Sequence, residues 1–239
     1  MAMRNTDKLA VLIDADNAQA SIAEELLNEI ARYGTATVRR AFGDWTTPNL
    51  NGWKEVLHQL AIQPMQQFRF TTGKNATDSA LIIDAMDLLH SHAVDGFCLV
   101  SSDSDFTRLA TRLREAGHPV YGFGEKKTPN PFIAACNKFT YTEILRIPEG
   151  SRHVVTAPSD ALEPILMPAI LASMQEDGWA ALSGIGSLVA KSNPSFDPRN
   201  YGYQKLGALV RSQPYLDVKS VPSRDGSPNS HLYVRRKDT

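Results

Sequence analysis

Residues 9–13, Leu-Ala-Val-Leu-Ile, are an apolar run without polar alternation, the pattern of a strand buried on both faces of a helix-covered sheet. The run leads straight into Asp14-Ala-Asp16-Asn17, so two carboxylates and an amide are expected at the strand's carboxyl end. In residues 18–33, Ile22, Leu26, Leu27 and Ile30 recur with helical spacing, which stops at Gly34. Residues 36–42 alternate as a strand, Trp53, Val56, Leu57 and Leu60 recur as on a helix, and residues 64–70 make a weaker strand. A polar loop, residues 71–77, precedes a helical segment opened by Asp78 and carrying Leu81, Ile82, Ala85, Met86 and Leu89. Gly96-Phe-Cys-Leu-Val100 is a second buried strand, and it too ends in carboxylates, Asp103 and Asp105. A helix over 106–116 closed by Gly117, a strand over 119–123 and a short helix over 131–137 complete this region.

Strands alternating with helices in this way predict an α/β fold, a parallel sheet sandwiched by helices. With right-handed crossovers and strand order 3-2-1-4-5, the first strand is central and the strand before Asp103 is its neighbour. Adjacent strands lie about 4.8 Å apart. Asp14 and Asp103 then share the sheet edge at which open α/β folds bind ligands.

Around residues 148–158 the pattern gives way to Pro-Glu-Gly-Ser-Arg-His and a short mixed stretch, which reads as a linker. The expected division is a first domain over 1–147, a linker over 148–160 and a second domain over 161–239. In the second, Ile165, Leu166, Ala169, Ile170 and Met174 mark one helix, residues 185–190 another, and Leu206, Leu209 and Val210 a third. Residues 215–218 and 232–234 read as strands around a polar loop, 223–230. Three helices and a two-stranded wing outline a small winged helix-turn-helix domain, which presents a helix to nucleic acid.

Composition adds little until the chain is divided. Its 42% apolar content is that of a globular protein, and its net charge is −1. Beyond Gly178, however, nine Lys/Arg stand against four Asp/Glu, a net +5 suited to a polyanion. No stretch approaches the roughly 20 apolar residues of a membrane span, and the polar start has no signal-peptide core, so a cytoplasmic location is expected. Cys98 and Cys136 sit in apolar segments without metal-ligand spacing and read as buried free thiols.

Each aspartate taken alone has a structural explanation, since Asp16, Asp78 and Asp103 all stand where helices begin and Asp favours such positions. Together, Asp14, Asp16, Asp78, Asp103 and Asp105 crowd one rim, where like charges oppose joint ionisation unless a cation is present. Oxygen donors without His or Cys suit a hard divalent ion, Mg2+ or Mn2+. Such an ion activates water for attack on a phosphodiester. Asn17 is placed to hold the water or a phosphate oxygen; Lys74 either neutralises the scissile phosphate or is a plain solvated lysine. Asp14-Ala-Asp16 also has the DxD form of a haloacid-dehalogenase-like phosphatase with Asp14 as nucleophile, although a downstream lysine motif is lacking.

At these residues a resemblance emerges. Ile13-Asp-Ala-Asp-Asn17, Lys74-Asn-Ala-Thr-Asp78 and Val100-Ser-Ser-Asp-Ser-Asp-Phe106, with Gly124-Glu-Lys-Lys-Thr128 and Cys136-Asn-Lys-Phe139, resemble the NYN family of PIN-like nucleases in its LabA-like bacterial branch. The resemblance covers about residues 7–145. It implies a metal-dependent ribonuclease, with Asp14, Asp78 and Asp103 at the core acidic positions, Asp105 and Asn17 supporting, and Asp16 a less certain participant. Residues 196–210 and 214–218 resemble the OST-HTH, or LOTUS, domain, over about 160–236. That implies RNA binding or, in some members, a protein contact. Apart from the resemblance, Lys191, Arg199, Tyr201 and Lys205 combine positive charge with aromatic surface, a mixture suited to phosphates and exposed bases, unless the tyrosines pack between helices. The reading is a ribonuclease, most simply an endoribonuclease, with an RNA-binding appendage. The rival from another class is an RNA-binding adaptor that no longer cuts.

Overall fold

The strand that opens the chain, β1 (Lys8–Asp14), has every residue after Lys8 buried. Its side chains alternate between two cores. Ala10 and Leu12 join an apolar cluster on one face of the sheet, and Leu9, Val11 and Ile13 join another on the opposite face. This is why the run shows no polar alternation. The computed structural model describes residues 7–68, 76–146, 162–222 and 230–237. By Cα proximity the chain forms two units, Met1–Pro148 and Glu149–Thr239. The expected linker, 148–160, lies outside the described residues.

In the first unit β1 is followed by α1 (Ala23–Ile30), β2 (Thr35–Gly43), α2 (Trp53–Gln59), β3 (Gln63–Gln66), α3 (Ala76–His90) and β4 (Gly96–Val100). Then come α4 (Thr107–Glu115), β5 (Val120–Gly124), α5 (Asn130–Ala135) and β6 (Lys138–Tyr141). The sheet order is β3-β2-β1-β4-β5-β6, with every pairing parallel. The order expected for five strands is present, and β6 extends it on the β5 side. Pairing of Ile13 with Val100 puts the ends of β1 and β4 level, so Asp14 and the Ser101–Asp105 turn leave the sheet side by side.

Helix bounds differ from the apolar pattern where turns intervene. The segment expected as a helix over 18–33 begins as a 3-10 turn, Ala20–Ile22, before α1. At Gly34 a Cβ would meet the Asp7 carbonyl oxygen at 2.5 Å, so the reversal into β2 requires glycine. Gly117, at φ +89, closes α4 as the sequence predicts. Among the described residues, the strand expected over 64–70 is β3; residues 69–75, the end of that strand and most of the expected polar loop, lie outside them.

The second unit contains α6 (Glu163–Ala172), β7 (Ala180–Ala181), α7 (Leu182–Ser192), α8 (Leu206–Arg211), β8 (Leu216–Pro222) and β9 (Ser230–Arg236). β8 and β9 form an antiparallel hairpin, and β7 pairs with the other side of β9. Its core gathers Leu166, Ile170, Ile185, Val189, Leu209, Val210 and Val234 from all three helices and β9. Cys98 and Cys136 are buried free thiols, as expected. No helix among the described residues is long and apolar enough to cross a membrane.

Leu12 is fully buried at the centre of this sheet. Truncating it to alanine removes its contacts and leaves a cavity, a change that costs roughly 2–5 kcal/mol in such sites. Urea unfolding of Leu12→Ala should therefore show a lower midpoint with an unchanged slope. A loss below about 1 kcal/mol, the size of an ordinary surface change, would contradict the two-sided burial of β1.

Candidate active site

Asp14, the last residue of β1, carries a fully buried carboxylate. Its Oδ2 accepts hydrogen bonds from Asn17 Nδ2 and from the Ser101 hydroxyl, each at 2.8 Å. Its Oδ1 is buried with no partner among the described residues. Leaving a carboxylate oxygen so is costly. Burial raises the Asp14 pKa, the bonds from Asn17 and Ser101 lower it, and the charge of Asp16 raises it again.

The Ser101 hydroxyl also accepts the backbone N–H of Asp103 at 3.0 Å, so one hydroxyl ties Asp14 at the end of β1 to the turn after β4. Asp103 in turn caps the short 3-10 turn Ser104–Phe106 by accepting the Asp105 N–H at 2.9 Å. Asp78 arrives from elsewhere, in the first turn of α3. Asp78, Asp103 and Asp105 each offer a carboxylate oxygen, and the three oxygens lie within 4.8 Å of one another. Asp14 and Asp16 fall outside that trio, yet the charges of both act on Asp78. The exposed Asp16 accepts a hydrogen bond from Thr77 at 3.3 Å.

α3 is fastened from below. Arg40 on β2 forms an ion pair with Asp84, two turns along the helix from Asp78. Both partners are largely shielded from solvent, so the pair fixes where α3 lies on the sheet. The other flank is set by the Ser102 hydroxyl, which accepts the Glu125 N–H at 2.9 Å and draws the loop after β5 towards the acidic turn.

Five sequence-predicted residues, Asp14, Asp16, Asp78, Asp103 and Asp105, thus occupy one edge of the sheet, with Asn17 bonded to the first. Lys74 lies outside the described residues. In the second unit Lys191 and Lys205 are exposed. Arg199, instead, is bound to Asp197 at 2.8 Å with only 19% of its side chain exposed. Tyr201 lies 5.9 Å from the Phe196 ring and packs, like Tyr203, against the core. Two residues of the site escaped sequence reasoning: Ser101, the first residue after a buried strand, and Thr77, one residue before Asp78. Their positions beside the aspartates are the signal that was available.

The sheet order and the acidic turn after β4 define a PIN-like α/β fold with an acidic cluster at its carboxyl edge. The NYN domain family model matches residues 8–145, more than half the chain, and the protein belongs to that family. The OST-HTH/LOTUS domain model, an RNA-binding class, matches residues 160–228. No curated protein matches the chain. Among solved structures, a protein of unknown function from Vibrio parahaemolyticus is 19% identical, with TM-score 0.48, covering 58% of this chain and 94% of its own. An uncharacterized Nitrosomonas europaea protein is 28% identical over 39% of this chain and 87% of its own, with TM-score 0.31. A Chromobacterium violaceum protein fragment is 37% identical over 37% of this chain and 91% of its own, with TM-score 0.27.

Burial first, then the charges of Asp14, Asp103, Asp105 and Asp16, push the Asp78 pKa from its ordinary 3.8 to about 6. The folded protein therefore holds this proton where the unfolded chain has released it, and stability falls as pH rises from about 3.8 through about 6. In chelator, Asp78→Asn should melt higher than wild type at pH 7, and the difference should shrink towards pH 4. A variant melting lower than wild type at pH 7 would show that burial and the neighbouring carboxylates do not penalise the Asp78 charge as described.

Proposed function

We propose that the protein is a divalent-metal-dependent ribonuclease, most simply an endoribonuclease, whose first unit hydrolyses RNA phosphodiesters and whose second unit binds the RNA. The observation that supports this most directly is the three carboxylate oxygens of Asp78, Asp103 and Asp105 within 4.8 Å, beside a buried Asp14 with one unpartnered oxygen. An all-oxygen, multiply acidic donor set fits Mg2+ or Mn2+, and the buried Oδ1 of Asp14 is the atom that such a charge would satisfy. Asp14, Asp78, Asp103 and Asp105 would hold the ion, with Asp16 at the margin. A divalent cation there supplies a Lewis acid for the phosphate and lowers the pKa of a bound water.

The chain's own groups have separable tasks. Asn17 commits one amide hydrogen to Asp14 and keeps its carbonyl oxygen to orient the attacking water. Asp78 brings the third carboxylate to Asp103 and Asp105, and the proton that water loses on attack passes to solvent. The P–O bond to the leaving nucleotide then breaks, and the departing oxygen takes a proton from solvent. Ser101 acts through others, holding Asp14 and the Asp103 backbone in register. The phosphatase reading of Asp14-Ala-Asp16 loses support, since the same residues lie within a chain that belongs to the NYN family.

The test is incubation with labelled single-stranded and structured RNA in Mg2+, Mn2+ or chelator. Cleavage should require the metal and be lost in Asp103→Asn. Equal cleavage by wild type and Asp103→Asn would mean contamination, and metal-independent binding without cleavage would favour the adaptor.

Ser101→Ala should lower activity by roughly 10–100-fold, the usual effect of removing a group that orients metal ligands. The deficit should narrow as metal concentration rises. An unchanged metal dependence would deny Ser101 its positioning role.

A further inference from the structure

The hairpin sheet of the second unit has two unlike faces. Leu216, Val218 and Val234 belong to or pack against the core, and Leu232 Cδ1 lies 3.0 Å from where a Cβ on Gly207 of α8 would stand. The alternate positions form the opposite face, in three cross-strand pairs: Val221 with His231, Lys219 with Tyr233, and Asp217 with Arg235. On the other side of β9, Ala181 pairs with Tyr233, a register that brings Trp179 beside Arg235.

Trp179 and Tyr233 are half-buried, and neither is among the residues of the second unit's core. Cations lie over their rings instead. Lys219 Nζ is 4.2 Å from the centre of Trp179 and 5.5 Å from that of Tyr233, and Arg235 Cζ is 4.8 Å from Trp179. The cations reach Asp177 at 3.5 Å and Asp217 at 3.1 Å, through side chains that are all between 34% and 57% exposed. Ion pairs so exposed contribute little, so a phosphate can compete with either carboxylate for its cation. Diagonal cross-strand neighbours such as Trp179 and Tyr233 stand about 7–8 Å apart, within reach of two bases of an unstacked strand.

We propose that this sheet face is the surface on which the second unit takes single-stranded RNA. Trp179 and Tyr233 stack on unpaired bases, and Lys219 and Arg235 contact the backbone phosphates. The excess of nine Lys/Arg over four Asp/Glu beyond Gly178 gives the region the sign that a polyanion requires. The surface carrying Lys191, Arg199, Tyr201 and Lys205 is the weaker site, because Arg199 is held by Asp197 and both tyrosines pack on the core. The proposal rests on the RNA-binding reading of the second unit and is independent of cleavage.

The test uses the full chain in chelator, so that an inert acidic site leaves it readable. Single-stranded oligo(U) and an RNA duplex are titrated while tryptophan fluorescence and the anisotropy of labelled RNA are followed. Oligo(U) should bind more tightly than duplex and quench fluorescence. The other tryptophans, Trp45 and Trp53, lie in the first unit, so Trp179→Phe should abolish the quench and keep most of the affinity. Trp179→Ala with Tyr233→Thr should weaken binding about tenfold or more, and Lys219→Gln should reduce the salt slope by about 0.7. Lys219→Gln changes an exposed side chain, so its slope tests the face even if the double variant fails to fold. Unchanged affinity in the double variant, an unchanged salt slope in Lys219→Gln, or a loss confined to Lys191→Ala and Lys205→Ala would overturn the proposal. So would preference for duplex, or no binding of RNA at all.

Discussion

A carboxylate with no exposed surface, set at the end of a strand whose two faces are apolar, is the constraint on which the first unit depends. Removing Asp14 from water penalises its charge, and two hydrogen bonds to one oxygen offset part of that cost. Both come from elements that must be in place for the bond to exist: the turn directly after β1 and the turn after β4. The same Ser101 hydroxyl that satisfies Asp14 also receives the Asp103 N–H. Desolvation at one atom is thereby coupled to the position of a second acidic residue in the neighbouring strand connection.

Asp78 has a different origin. It is carried on a helix, and its approach to Asp103 and Asp105 is opposed by burial and by every carboxylate around it. Such an arrangement persists only if something outside the rim holds the helix down. The Arg40–Asp84 pair and the apolar contacts of Leu81, Ala85, Leu88 and Leu89 supply that force. Repulsion within the rim is thus offset by packing beneath it, and the resulting concentration of negative charge is what a divalent cation relieves.

These particulars explain what the sequence disclosed and what it concealed. β1 and β4 were legible because burial on both faces leaves an uninterrupted apolar run, and Asp14 and Asp103 because each stands next to such a run. Asp78 was legible as a helix opening, and its membership of the rim followed from topology. Ser101 was hidden because a serine's role depends on which partners its single hydroxyl reaches, and the decisive one, Asp14, is 87 residues away along the chain. β7, two residues long, has no period to detect. The tyrosines at 201 and 203 satisfied two descriptions at once, surface aromatics in a basic segment and partners of Phe196 and its neighbours, and only packing separates these.

A strongly acidic rim repels the backbone of a nucleic acid, so the reading of the first unit as a nuclease demands attraction from elsewhere. Residues 1–150 hold 15 Lys/Arg and 18 Asp/Glu, and apart from the five aspartates of the rim their balance is only +2, a weak attraction for a polyanion. The basic part of the chain is the region beyond Gly178, where the aromatics that the core does not use are found beside cations loosely held by exposed carboxylates. Each unit therefore has the chemistry that the other lacks. Oxygen donors that bind a cation tightly are poor at gathering a polyanion, and a cationic, stacking surface has no means of activating water.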